Sequence, residues 1–398
     1  MIVSKKDIRI FLVSILLILT NVVYCINAEW VWDSGYKMIF PNESNANMLL
    51  WVACIILTIW AFCSIPQIKY FSRLVQIIVF VMVSISIVWM LVTLTGTNTI
   101  FTIFVRQYSP YMLVFAIVLV LGRDSYTFNK CISISKYVML GALLLTIYHE
   151  LAFMLTYGFT MRSQSSAIHV FYWDGIMSWL FWTFNTDSRE NVVVTKIGTV
   201  LLVVAAFLSS SRSNILISLL CVFLFYRRNS EYKKIKIGAY VRLAVTALIA
   251  VILFNHFVPE MYSSMLDRLF SDSRGGQIEV FFQQVSFLDL LIGKGAGATY
   301  SFSRFQNFAY VDNANIVMMF RYGMLPTIGM LTLFCMAVGK SWLYHKNRSW
   351  QIVFIWLLVT NGFSVYLNYK ITWGYFLLWL SVGHILSNER EKNEYNKI

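Results

Sequence analysis

The apolar positions of this chain run together instead of alternating. From Phe11–Ile26 onward, apolar segments near 20 residues recur along the whole sequence. Each matches the roughly 30 Å hydrocarbon core of a bilayer, which only helices or closed barrels can cross. Continuous runs predict helices; barrel strands would alternate. The pattern predicts an all-α, polytopic membrane protein forming a single transmembrane domain over residues 1–398. It has about 12 spans, within a range of about 10 to 13. They are expected near residues 9–27, 47–65, 74–95, 101–121, 137–158, 165–184, 193–210, 213–226, 239–257, 313–338, 350–367 and 371–387. Lys5, Lys6 and Arg9 precede the first run, and no small-residue cleavage site follows it, so it is read as a retained anchor.

One polar interval is long, residues 258–312, and carries two amphipathic stretches, Met261–Phe270 and one around Ile278–Leu291. Loops of that length are functional or disordered. This one is aromatic and apolar enough to pack on the membrane surface, so a functional role is expected.

Composition agrees with a membrane chain. Hydrophobic residues make up 58 % and charged residues 13 %, against about 25 % charged in an average soluble domain. The net charge of +13 raises the question of nucleic acid, but the basic residues sort by loop. Most lysines and arginines, with Arg227–Lys236 the densest cluster, fall in segments on one side when both termini are cytoplasmic. That is the positive-inside asymmetry of a membrane protein, and no nucleic-acid partner is expected. Cys25, Cys54, Cys63, Cys131, Cys221 and Cys335 lack metal-type spacing and read as packing residues.

Two short motifs fail on inspection. In Gly293-Lys294-Gly295-Ala296-Gly297, Lys294 is followed by glycine where a P-loop has serine or threonine, so the glycines read as a tight turn. His149-Glu150 lacks the second histidine of a zinc-protease helix, because Phe153 occupies that position. Glu150, Asp174 and Lys196 lie inside expected spans, where either a structural pair or a polar pathway accounts for them.

The external-side arginines carry more chemistry. Arg162, Arg212, Arg268, Arg274, Arg304 and Arg321 fall near the face that the charge bias keeps poor in cations. Guanidinium forks match phosphate oxygens bidentately. Ser209-Ser210-Ser211-Arg212-Ser213 is a polar knot between two apolar runs, a composition suited to an anion at a helix start. Val311-Asp312-Asn313-Ala314-Asn315 opens the tenth expected span. There Asp312 or Asn313 is a helix cap, or Asp312 is a carboxylate placed to take a proton.

The order of these motifs resembles the O-antigen polymerase and ligase superfamily, most closely the Wzy-type repeat-unit polymerases of bacterial surface polysaccharides. The carrying residues are Ser211-Arg212, then Ser273-Arg274, the glycines 293, 295 and 297, Asp312-Asn313, and Arg321-Tyr322-Gly323-Met324. The resemblance is specific from about Arg162 to Gly329. It implies a metal-independent, inverting glycosyltransferase without a cofactor, acting on undecaprenyl-diphosphate-linked oligosaccharide at the external membrane face. Catalytic roles then fall on Asp312, Arg274 and Arg212, and substrate binding on Arg162 (the weaker match), Arg268, Asn313, Asn315 and Arg321. Ligases of the superfamily tend to have histidine where this chain has Asp312, which favours a polymerase. Implied partners are membrane lipid and other polysaccharide-assembly proteins, a flippase and a chain-length regulator among them. A lipid-linked oligosaccharide flippase or other transporter is the rival reading.

The topology is testable by cysteine accessibility. Ser165→Cys and Gly275→Cys are expected to react with an impermeant thiol reagent on intact cells, and Tyr232→Cys and His345→Cys are not. Labelling of position 232 from outside would overturn the topology.

Overall fold

The structure is a computed structural model. It describes residues 5–26, 63–94, 111–157, 166–185, 192–209, 274–295, 298–302, 305–308, 311, 313–344 and 372–387. It also describes short pieces at 29–30, 38–39, 52, 55–57, 59–60, 214–215, 217–222, 255–256, 259 and 263. These residues are helical almost throughout. The main helices are α1 (Lys5–Ile26), α2 (Arg73–Leu94), α3 (Tyr111–Leu121), α4 (Ser125–Tyr157), α5 (Ser166–Asn185) and α6 (Val192–Leu208). After them come α7 (Arg274–Gln284), α8 (Phe287–Ile292), α9 (Ala314–Tyr322), α10 (Met324–Tyr344) and α11 (Trp373–Leu386). A 3₁₀ turn, Ile65–Tyr70, leads into α2. Two antiparallel pairs complete the described elements: β1 (Glu29–Trp30) with β2 (Met38–Ile39), and β3 (Tyr300–Phe302) with β4 (Phe305–Phe308).

Among the described residues, two stretches are long and apolar enough to cross a membrane, Ser125–Leu155 in α4 and Met324–Ser341 in α10. The expected segments near 47–65, 239–257 and 350–367 lie wholly or largely outside the described residues, as does Met261–Phe270, and those near 101–121 and 213–226 are described in part. Two expected segments are altered. The one near 137–158 starts twelve residues earlier, at Ser125. The apolar run 313–338 is two helices, because Gly323 closes α9 with φ +93 and α10 starts after it.

Helix α11 is the centre of the bundle. Every residue in it except His384 is buried. A helix apolar on all sides has to be surrounded, and α3, α5 and α10 do this. Trp379 packs between Phe115 of α3 and Phe334 of α10, with ring centroids 4.1 and 4.8 Å away. The crossing with α3 is made by glycines. A Cβ on Gly122 would lie 2.7 Å from the His384 nitrogen, and one on Gly383 would run into the Leu119 carbonyl. Small residues let helix backbones touch where no water competes for the contact.

The start of α11 is held from another helix. Asp174, 2 % exposed and the ninth residue of α5, accepts the Gly374 N–H at 2.7 Å. Thr372 caps the same end, accepting from Tyr375 N. A carboxylate there satisfies an orphan donor and meets the positive pole of the helix. This assigns Asp174 a structural partner. Glu150 is buried within α4, and Lys196 lies on the exposed side of α6.

Polar contacts gather several segments at one end of the bundle. Lys6 pairs with Asp124 at 3.0 Å, Lys130 with Asp7 at 3.3 Å, and the Arg123 guanidinium lies 3.1 Å above the Tyr70 ring. His384 stacks on Phe128 and places Nδ1 3.2 Å from the Gly122 carbonyl, while Lys340 Nζ donates to the Ser387 carbonyl at 2.7 Å. The N-terminus, the 65–73 segment, the 122–125 turn and the ends of α10 and α11 therefore share one end. The charge pattern predicts that these segments lie on one side.

Asp174→Ala leaves a buried N–H without its acceptor, which costs about 1–3 kcal/mol. Asp174→Asn keeps an acceptor oxygen and loses only the charge, about 0.3–1 kcal/mol. Thermal unfolding of the detergent-solubilised chain should rank wild type above asparagine above alanine. Equal midpoints for all three would show that Asp174 does not hold α11.

Candidate functional site

The segment from α7 to α9 forms a small unit with its own core: Phe281, Val285, Leu290, Ala298, Tyr300, Val311, Val317 and Phe320. Phe281 meets Tyr300 and Phe320 edge to face, each at 5.1 Å, an arrangement that adds to burial. The Gln284 side chain completes the β3 edge. Its amide accepts from Ser301 N at 2.9 Å and donates to Ser301 O at 2.7 Å, as a neighbouring strand would. The expected amphipathic stretch around Ile278–Leu291 is α7 and α8, separated at Ser286.

Ser286 starts α8 with a reciprocal cap. Its Oγ accepts from Asp289 N at 3.2 Å, and Asp289 Oδ2 accepts from Ser286 N at 2.9 Å. Lys294 pairs with the same carboxylate at 3.3 Å. Donation by the Ser286 backbone, helped by its side chain and then by Lys294, holds the Asp289 carboxyl below its ordinary value.

The glycine turn docks on the far end of α9. Gly293 and Gly295 have φ +93 and +91, and Gly323 has φ +93. Lys294 N donates to Phe320 O at 2.7 Å, and Gly295 N to Arg321 O at 2.9 Å. These bonds take up two carbonyls that a helix end leaves open. The contact is too close for side chains. A Cβ on Gly293 would stand 2.7 Å from Gly323 N, and one on Gly323 2.6 Å from the Ile292 carbonyl. Gly295 faces Trp89 near the end of α2, tying the unit to the bundle. Two motifs 28 residues apart in sequence, at Gly293-Lys294-Gly295 and Arg321-Tyr322-Gly323, are one backbone lock.

Each expected site residue has a definite standing. Asp312, Arg212, Arg162, Arg268 and Arg304 lie outside the described residues. Arg274 is the first residue of α7. Asn313 is the cap of α9, with Oδ1 accepting from Asn315 N at 3.0 Å and Ile316 N at 3.2 Å. That resolves the cap in favour of Asn313 over Asp312. Asn315 Oδ1 is buried and has no hydrogen-bond partner among the described residues. Arg321, 4 % exposed, stands in the last turn of α9, where a cation meets the negative helix pole. Asn313 and Arg321 are eight residues apart on one helix, about 12 Å along its axis.

The base of the serine-arginine knot is also fixed. Asn214 Nδ2 donates to Ser209 Oγ at 2.9 Å, and the Tyr172 hydroxyl of α5 donates to Asn214 O at 3.1 Å. Ser209 and Asn214 are both buried. Sequence reading missed Asn214, Tyr172 and Gln284. For Asn214 the signal was available, since a buried amide closing a polar knot is a common turn device.

The cap on α8 is pH-sensitive. Because the Asp289 carboxyl lies below its unfolded value of 3.8, its contribution is fully present above that value and fades as pH falls through the folded value. Amide exchange across Phe287–Ile292 should therefore accelerate below about pH 4. Asp289→Asn should exchange faster at neutral pH and lose the acid dependence, and an unchanged pH profile in the variant would refute the assignment. No protein-family model and no curated protein matches this chain, so its residues alone carry the functional reading.

Proposed function

We propose that the chain is a multi-pass bacterial inner-membrane enzyme that polymerises undecaprenyl-diphosphate-linked oligosaccharide repeat units at the external face. The observation that supports this best is the glycine lock. Motifs noticed separately in the sequence, the arginine-led α7, the glycine turn, the Asn313 helix start and Arg321-Tyr322-Gly323, belong to one folded unit with its own core. A sugar diphosphate supplies its own leaving group. What remains is to offset charge as the anomeric bond breaks and to take a proton from the acceptor hydroxyl. Arg212 and Arg274 are assigned to the first task and Asp312 to the second. The acceptor oxygen attacks the anomeric carbon, the diphosphate leaves on its lipid, and the released proton goes to the carboxylate.

Transport is a second reading that one feature favours. Helix α11 begins partway along α5, against the Asp174 carboxylate, and helices that start inside a bundle line substrate sites in transporters. Translocation of lipid-linked oligosaccharide in vesicles, without polymer, would select it.

Purified protein with one lipid-linked repeat unit should yield a ladder of polymer. Arg274→Lys keeps charge but loses the fork and should be impaired; Arg274→Ala and Arg212→Ala should be nearly inactive. Asp312→Asn should slow polymerisation by about 10²–10⁴-fold. The Asn313 cap is untouched by that change, so correct insertion is expected. Near-normal rates from Asp312→Asn would remove the general base from this position, and active alanine variants would remove the clamp.

A further inference from the structure

The end of the bundle opposite the glycine lock carries a second collection of charge that the proposed chemistry does not use. Lys6 and Arg9 are one helical turn apart on α1, and Lys69 and Arg73 flank the start of α2. Arg123 occupies the turn between α3 and α4, and Lys130 follows on α4. The contacts join them. Lys6 reaches Asp124, the neighbour of Arg123; Arg123 lies flat on Tyr70; Lys69 stands 4.9 Å from the same ring centre; Lys130 reaches Asp7, which also accepts from Tyr126 Oη at 2.6 Å. Among the described residues, two carboxylates, Asp7 and Asp124, oppose these cations, which leaves positive charge over among them. Arg9, Lys69 and Arg73 are exposed.

Next to this charge the surface is oily. Ile8 and Phe11 on α1 are 53 % and 63 % exposed, and Leu74 and Ile77 on α2 are 50 % and 53 % exposed. They lie within one turn of Arg9 and Arg73. An acidic protein or a free phosphate would need the cations only. A ligand with an anionic head and hydrocarbon tails accounts for both features.

We propose that this end binds the phosphate of an anionic membrane phospholipid, with Arg9, Lys69 and Arg73 meeting the headgroup and the adjoining apolar faces of α1 and α2 its acyl chains. The stack of Arg123 on Tyr70 and the Lys6–Asp124 pair bring the start of α1, the 65–73 segment and the 122–125 turn to one end of the bundle. Arginine forks suit a phosphodiester, and basic clusters at the cytoplasmic rim of helices select anionic lipid. The proposal rests on the membrane reading of the chain and is independent of its polymerase activity.

The test uses the full chain in nanodiscs of phosphatidylcholine with a minor share of phosphatidylglycerol, and lipids retained after extraction are counted by native mass spectrometry. Phosphatidylglycerol should be enriched over its bulk share. Each surface cation contributes about fivefold at low salt, so Arg9→Gln with Lys69→Gln and Arg73→Gln should lower the enrichment by at least about tenfold. These residues are outside the ion pairs, and the charge-retaining set Arg9→Lys, Lys69→Arg, Arg73→Lys should restore it. Unchanged enrichment in the glutamine variant would overturn the site, as would displacement of the lipid by millimolar inorganic phosphate, which would make it a free-anion site. Failure of the chain to enter nanodiscs would instead overturn the membrane reading, whereas loss of polymer ladders with lipid retained would overturn only the polymerase.

Discussion

A helix without an exposed face has to satisfy its ends as well as its side chains. Helix α11 is in that position, and the bundle is arranged around the requirement. In a site without water, each open N–H costs the full desolvation of a polar group. The first turn of α11 is met by Thr372 from its own chain and by Asp174 from α5, some 200 residues earlier in sequence. Its last turn is met by Lys340 of α10, which donates to the Ser387 carbonyl. Between them, Gly122 and Gly383 bring α3 against α11 closely enough that aromatic rings fill the remaining volume. The positions of α3, α5 and α10 follow from what one buried helix needs.

The unit from α7 to α9 answers a different demand. It is too small for a deep core, and it closes by backbone instead. Positive φ at Gly293, Gly295 and Gly323 lets the turn after α8 lie directly on the end of α9. Peptide groups hold this junction in place of side chains, so it leaves side chains nearby available for a substrate without loosening the scaffold. On the proposed reading that is useful, because a catalytic constellation held on a rigid backbone keeps its geometry while a long lipid-linked chain moves through it.

Much of the architecture was legible because apolar runs report helix length directly. The expected segments near 74–95, 165–184 and 193–210 fall within two residues of α2, α5 and α6 at either end, and 9–27 starts four residues inside α1. The run 313–338 misled because one glycine barely changes its mean hydropathy, while the φ of that glycine decides whether one helix or two form. The Asp174–Gly374 bond was not legible at all. Local patterning carries no trace of a partner in a distant helix, so a buried carboxylate looks the same in sequence whether it caps a helix or moves a proton. The candidate site divides likewise. The glycines read correctly as a turn, but their docking on Arg321-Tyr322-Gly323 depends on a main-chain match that no residue type encodes. Asn313, read as cap or substrate contact, has its Oδ1 engaged by the helix it starts.

The two ends of the bundle handle positive charge in opposite ways, and this bears on which reaction the chain can support. At the end with the N-terminus, cations stand exposed beside tyrosines and lipid-like surface, in excess over their carboxylates. At the end with the glycine lock, Lys294 is tied to Asp289, and Arg321 is buried against a helix pole. Among the described residues, these two cations are thus met within the fold. On the proposed reading, Arg274, the first residue of α7, is assigned to an anion that arrives from outside the fold. A diphosphate delivered on a lipid carrier is such an anion. It reaches the membrane surface in place, it needs no nucleotide site, and its charge grows as the glycosidic bond breaks. The stabilisation a fixed guanidinium gives is therefore larger in the transition state than in the ground state, which is the condition for lowering a barrier as opposed to tightening binding.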